Sequence, residues 1–138
     1  MKTPSAKAKG RRLQQQVVTD LLNSFDHLSE DDVRSTSMGV SGEDIQMSHA
    51  ARQSIPFSFE AKNQERVNIW SSIEQARTNA PNGVAPVVVF KKNNEQPHVA
   101  ISWNTFLKLI NHKTTENSEH RKELHDISQQ LTEIALKI

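Results

Sequence analysis

The sequence predicts an α/β (α+β) fold with a mixed central β-sheet flanked by helices. Residues 56–62 alternate between apolar and polar side chains, which is typical of a β-strand. Residues 86–90 form a continuous apolar run, which is typical of a strand covered on both faces. Between them, residues 68–80 repeat apolar side chains at helical spacing. The predicted order along the chain is helix, strand, strand, helix, strand, strand, helix, helix.

The first half of the chain supplies one helix and two strands. Residues 1–9 are expected to form a flexible basic arm, and residues 10–23 a helix, because Leu13, Val17 and Leu21 recur at helical spacing. The polar residues 24–42 end in a glycine turn that leads into a strand over residues 43–48. Residues 49–55 connect this strand to the one that begins at Pro56.

The second half continues from the helix over residues 68–80, whose apolar stripe includes Trp70, Ile73 and Ala76. Asn93 and Asn94 indicate a turn, so residues 99–103 are expected to return as the hairpin partner of strand 86–90. A short helix over residues 103–111 is expected to turn the following side chains inward: Phe106, Leu107 and Ile110. These elements place one domain over residues 10–112.

The C-terminal segment, residues 113–138, has the apolar spacing of a heptad seam. The seam covers only about two heptads. It predicts an amphipathic helix that packs on its own domain or meets a second copy, and a terminal helix after a complete small domain favours a homodimer. Its members are Leu124, Ile127, Leu131, Ile134 and Ile138.

Composition excludes several classes of protein. The chain has no cysteine, which rules out disulfides, thiolate metal sites and cysteine nucleophiles. No apolar run approaches the roughly 20 residues that span a bilayer, so a cytoplasmic location and no membrane contact are expected. A Walker-type phosphate loop is absent, which argues against a nucleotide cofactor.

Charge is uneven although the net charge is only +1. The first dozen residues include five basic side chains and no acid. Such a cluster is typical of segments that bind phosphate groups. The alternative is a solvated tail that aids solubility. The candidate nucleic-acid contacts are Lys7, Lys9, Arg11 and Arg12.

The alternating strand also predicts a site. Ser58, Glu60 and Lys62 share one face, and Asp44 lies on a second strand with the same alternation. Two carboxylates and a lysine form a plausible site for a hard metal ion and a positioned nucleophile. A Glu-x-Lys triplet alone is expected about once by chance in a chain of this length. The alternative is therefore an exposed strand face with a local ion pair.

The run over residues 37–45, the run over residues 56–63, and Trp70 and Gln75 on the next helix resemble the PD-(D/E)xK nuclease superfamily. The resemblance covers about residues 10–110 and is closest to small phage and archaeal Holliday-junction-resolvase-like members. It implies a restriction-endonuclease-like core of a helix, three strands, a helix and a strand. That core requires a first strand near residues 33–37. Glu43 stands where the motif has proline.

The resemblance implies a role for each matching residue. Asp44 and Glu60 would bind Mg²⁺ or Mn²⁺ with the carbonyl of Ala61, and Lys62 would position or activate water. Gln75 matches a glutamine that faces the site in some members, and its alternative is an exposed polar residue. Gln15 stands where many members carry an acid on the first helix, and it would serve as a neutral ligand or act through water.

The implied partners are branched or duplex DNA and a second copy of the chain. A general endonuclease or exonuclease, a non-catalytic DNA-binding or assembly protein, and a plain interaction module remain as alternatives. Trp70 and Trp103 could stack on bases. Burial is expected for Trp70 because it falls on the apolar stripe, whereas Trp103 could take either role.

Overall fold

The computed structural model describes residues 4–37, 39–111, 126–127 and 129–133. The elements are α1 (Pro4–Ser24), β1 (Val33–Ser35), β2 (Ile45–Met47), α2 (His49–Ser54), β3 (Phe57–Asn63), α3 (Ile69–Asn79), β4 (Ala85–Lys91) and β5 (His98–Ala100). A further helix, α4, covers residues 103–111. The chain divides into two compact units, one ending at Ile101 and one beginning at Ser102. This boundary precedes α4, whereas the sequence places the domain end at residue 112.

The described residues contain five strands, which form two sheets. β1 and β2 make an antiparallel pair, which supplies the short strand expected near residues 33–37. β3, β4 and β5 form a second sheet in that order, with β3 and β4 parallel and β4 and β5 antiparallel. Parallel neighbours need a crossover, and α3 provides it. A mixed α/β fold with a small mixed sheet flanked by helices is therefore confirmed.

The helix α1 covers one side of the first unit. Its Leu13 and Val17 are buried together with Ala61 of β3 and with Val87 and Val89 of β4. The same cluster includes side chains from the β1–β2 pair and from α2: Val33, Ile45, Ala51 and Ile55. The main core therefore lies between α1 and the Ala61 face of the sheet.

α1 begins earlier than the sequence indicates. Residues 4–9 are helical, so the expectation of a flexible arm over residues 1–9 is wrong for this part. Pro4 fits the first turn because the amide N–H that proline lacks would have no partner there. The consequence is that Lys7 and Lys9 have fixed positions on the same helix as Arg11 and Arg12.

α3 covers the opposite face of β3 and β4. The alternation predicted for residues 57–62 is present, but its polar side is not open to solvent: Ser58 and Glu60 are each only 2% exposed. Val88, the neighbour of Glu60 on β4, is also buried. α3 approaches closely because it presents small side chains, Ser72 and Ala76, to this face.

Two expectations about apolar side chains are wrong. Trp70 is 82% exposed because it points away from the buried side of α3. The side chains of α4 expected to turn inward, Phe106, Leu107 and Ile110, are exposed, as is Trp103. Of the heptad seam, Ile127 and Leu131 are exposed, and Leu124, Ile134 and Ile138 lie outside the described residues.

The connection over residues 49–55 contains the helix α2, which the sequence analysis missed. Ser48 caps it, because the Ser48 hydroxyl accepts a hydrogen bond from the Ala51 N–H at 3.1 Å. The hairpin predicted around Asn93 and Asn94 is present, with β5 three residues long. No helix in the described part of the chain is long and apolar enough to cross a membrane.

Candidate active site

Asp44 lies where the β1–β2 pair meets the edge of β3. Its backbone carbonyl accepts a hydrogen bond from Thr36 N at 2.8 Å, and the Thr36 hydroxyl donates to the carbonyl of Glu43. Its carboxylate Oδ2 accepts the N–H of Ala61 at 2.8 Å. Gly42 precedes this segment with φ +109°, a conformation that favours glycine. These contacts fix Asp44 against β3.

Arg52 of α2 secures the same junction. Its guanidinium donates to both carboxylate oxygens of Glu43, at 2.7 and 3.1 Å, and to the carbonyl of Phe57 at 2.8 Å. Arg52 thereby ties the segment before β2 to the first residue of β3. A sequence search for site residues missed this role, because Arg52 lies in a segment interpreted as a connection.

Glu60, Lys62 and Gln75 form a contiguous polar group between β3 and α3. Lys62 Nζ lies 3.3 Å from Glu60 Oε1 and donates to Gln75 Oε1 at 2.7 Å. The other carboxylate oxygen, Glu60 Oε2, is buried and has no hydrogen-bond partner among the described residues. A buried carboxylate oxygen without a partner is costly unless a water molecule or an ion satisfies it.

The two carboxyl groups are close enough to affect each other. Burial raises the pKa of Glu60, the Asp44 carboxylate raises it further, and Lys62 acts in the opposite direction. The Asn79 side chain also favours the charged form. Burial raises the pKa of Asp44 too, against the lowering effects of the Ala61 N–H and Lys62.

These shifts predict how Glu60→Gln changes stability. A carboxyl whose pKa is raised by folding destabilises the native state when it is ionised. We expect the variant to unfold at a higher temperature than the unmodified protein at pH 7, with roughly 4 °C of shift per kcal/mol. The gain should shrink as the pH falls through the raised pKa of Glu60 and disappear below 4.5, the ordinary value of a glutamate, because the carboxyl is then protonated in both states.

Thermal unfolding between pH 4 and pH 8 in the absence of divalent metal measures this effect. Glu95→Gln is the matched control, since Glu95 is exposed on the turn before β5. A Glu60→Gln variant that is less stable than the unmodified protein at pH 7 would show that the ionised carboxylate is net stabilising in the fold.

A cleft of about 540 Å³ opens beside this group. Asp44 and Gly42 line it from one side, and Glu74, Gln75 and Asn79 line it from α3. Glu74 is a third acid that sequence reasoning did not select, but it is exposed and paired with Arg77 at 2.7 Å. Within the described ranges, no three His, Cys, Asp or Glu side chains converge closely enough to hold a metal ion. The site therefore offers two carboxylates.

The backbone of Ala61 completes the set of oxygen donors. β3 is an edge strand of its sheet, and the Ala61 N–H points outward from that sheet to Asp44. The N–H and carbonyl of one strand residue point to the same side, so the Ala61 carbonyl faces the Asp44 side as well. Two carboxylates and a carbonyl are ligands that Mg²⁺ and Mn²⁺ accept, with water in the remaining positions. The residues present therefore fit such an ion, and the orphaned Glu60 Oε2 is the oxygen that it would satisfy.

Gln15 is not part of this arrangement. It lies on α1 in a separate cleft, together with Glu30, Val33 and Arg34, and none of Asp44, Glu60 and Lys62 lines that cleft. The role expected for Gln15 as a substitute metal ligand is therefore not supported by its position.

The four basic residues of α1 separate into two pairs. Lys9 and Arg12 line a polar cleft at the end of β3 and β4. Lys7 and Arg11 are exposed and, by helical spacing, lie on the other side of α1.

Searches against protein-family models, curated proteins and solved structures returned no match for this chain.

Proposed function

We propose that this protein is a metal-dependent nuclease that hydrolyses DNA phosphodiester bonds. The observation that carries the proposal is the convergence of Asp44, Glu60 and Lys62 beside an open cleft, with one buried oxygen of Glu60 left without a partner. The order of helix, short strands, acidic strand, helix and parallel strand is consistent with a restriction-endonuclease-like core of the PD-(D/E)xK type.

The contacts of each site residue are compatible with a specific role in hydrolysis. Asp44 and Glu60, with the Ala61 carbonyl, would hold Mg²⁺ or Mn²⁺. The bound ion would supply positive charge for the scissile phosphate and a water molecule of lowered pKa. Lys62 is held by Glu60 and Gln75, so its ammonium can orient the attacking water and stabilise charge on the phosphate.

Cleavage of a panel of labelled DNAs tests the proposal. Duplex, single-stranded, flap and four-way substrates are incubated with the protein in Mg²⁺, in Mn²⁺ and in EDTA, alongside Asp44→Asn. Asparagine retains an oxygen to accept the Ala61 N–H, so the variant removes charge with little change of shape. Asp31→Asn is the control, because Asp31 is exposed and distant in sequence from the site.

We expect cleavage with either metal, none in EDTA, and loss of at least about 100-fold in Asp44→Asn but not in Asp31→Asn. Cleavage that persists in EDTA or in Asp44→Asn would rule out this site. A preference for four-way DNA would support the resolvase-like activity and a homodimer that makes paired cuts.

The second candidate function is a non-catalytic DNA-binding or assembly protein that keeps the nuclease fold. The position of Gln15 in a separate cleft favours it, because the site then holds only two acids. The same panel separates the two, since this candidate predicts binding to DNA without cleavage in either metal.

A further inference from the structure

A second polar cleft lies at the end of β3 and β4, outside the candidate active site. Its volume is about 430 Å³. Three basic residues, Lys9, Arg12 and Lys91, line it, and no acidic residue is among its lining residues. The Lys91 ammonium donates to the carbonyl of Lys92 at 3.1 Å. The remaining polar lining consists of carboxamides, which donate hydrogen bonds without adding negative charge: Gln16, Asn63, Asn93 and Asn94.

The early start of α1 creates this cleft. Because the helix begins at Pro4, Lys9, Arg12 and Gln16 follow one another at spacings of three and four residues on one face. Leu13 continues the same face into the core, where it is only 1% exposed. Burial of Leu13 therefore holds the helix face that carries Lys9 and Arg12 in a defined position relative to the sheet.

Backbone contacts hold the other walls in place. The Asn63 carboxamide donates to the carbonyl of Lys9 at 3.0 Å, which joins the last residue of β3 to α1. Gln64 N donates to the carbonyl of Lys91 at 3.0 Å and extends the pairing of β3 with β4. The Asn93 N–H donates to Glu65 at 3.1 Å, and Asn94 adopts φ +64° in the turn. Secondary structure forms the walls at α1, β3 and β4, and the turn at Asn93 and Asn94 forms the remaining side.

The chemistry of this cleft suits a phosphate diester. Clustered cations with amide donors and no acid on the lining attract a polyanion, although the Glu65 carboxylate binds the Asn93 N–H beside the cleft. Contacts of this kind position a nucleic-acid strand without reading its sequence. We propose that the cleft is a second subsite that binds a backbone phosphate of DNA, away from the bond that is cleaved. The identity of the ligand as DNA rests on the proposed function.

Two basic residues of the cleft each have a basic neighbour in sequence that does not line it, and these neighbours serve as controls. Arg12 lines the cleft and Arg11, the next residue of the same helix, does not. Lys91 lines the cleft and Lys92, the next residue of the chain, does not. Arg12→Gln can therefore be compared with Arg11→Gln, and Lys91→Gln with Lys92→Gln, at equal change of net charge.

Fluorescence anisotropy with a labelled DNA duplex in EDTA, at several salt concentrations, measures binding without cleavage. We expect Arg12→Gln and Lys91→Gln each to weaken binding at least about fivefold and to lower the slope of log K against log salt by about 1, as loss of one phosphate contact does. Arg11→Gln and Lys92→Gln should remain within about twofold of the unmodified protein. Unchanged thermal unfolding shows that each variant is folded.

Equal weakening in all four variants would overturn the proposal, because the effect would then be general charge attraction. Absence of DNA binding by the unmodified protein would overturn it as well. Binding with the expected pattern but no cleavage in Mg²⁺ or Mn²⁺ would support the subsite and reject the nuclease. Cleavage with no difference between cleft and control variants would reject the subsite and leave the nuclease.

Discussion

Lys62→Ala is expected to reduce the rate of DNA cleavage in Mg²⁺ by at least about 100-fold, the usual effect of removing one preorganised donor that stabilises a transition state. The ammonium of Lys62 is only 3.3 Å from Glu60 and is held by Gln75 at 2.7 Å. Its position is therefore fixed before substrate binds, and water cannot replace it with the same orientation.

The same substitution should change the pH dependence of the remaining activity. Lys62 lowers the pKa of Glu60 against the effects of burial and of Asp44, so its removal raises that pKa. The acid limb of the pH–rate profile, where Glu60 must lose its proton to bind metal, should move to higher pH. The move of this limb tests the contact of Lys62 with Glu60, whereas the fall in rate at the pH optimum tests the catalytic role of Lys62.

Initial rates across pH 5 to pH 9 measure both effects, with Lys92→Ala as the control because Lys92 is exposed and lies just after β4, outside the group of Glu60, Lys62 and Gln75. Retention of cleavage within about threefold in Lys62→Ala would contradict the assignment of Lys62, since a residue in this role contributes far more.

Leu13→Ala should lower the free energy of unfolding by about 2–5 kcal/mol. Leu13 is 1% exposed and packs in the cluster between α1 and the sheet, so truncation leaves a cavity that helix and sheet cannot easily close. Alanine has the higher helix propensity, so any loss reflects packing and not the helix itself. A loss of this size is a large fraction of the stability of a typical domain.

Chemical denaturation measures the change, and Val99→Ala provides a surface control because Val99 is 59% exposed on β5. The control should change stability by no more than about 0.5 kcal/mol. Leu13→Ala should also weaken binding of DNA to the second polar cleft, because burial of Leu13 positions the helix face that carries Arg12. A Leu13→Ala variant as stable as the control would show that α1 does not form the main core.

Strands β3 and β4 and helices α1 and α3 could be predicted from local patterns, whereas α2 was missed and the strand near residue 33 followed from the resemblance. Alternation at residues 56–62 and the apolar run at residues 86–90 report strand periodicity directly, because side chains on a strand alternate between its faces. The resemblance implied that Gln75 faces the site that contains Lys62. In the structure, Lys62 Nζ donates a hydrogen bond to Gln75 Oε1 at 2.7 Å. The position of Gln15 does not support the role that the resemblance implied for it, because the cleft that a helical residue lines depends on how the helix packs.

The same local patterns do not predict which strand and helix faces are buried. The sequence by itself determined which side chains share a strand face or a helix face, because backbone geometry sets that locally. Only the tertiary structure decided which faces are covered. α3 closes over Ser58 and Glu60 with the small side chains Ser72 and Ala76, and it leaves Trp70 in solvent. This covering raises the pKa of Glu60 and leaves one of its oxygens without a partner, because burial removes the water that an exposed strand face would keep.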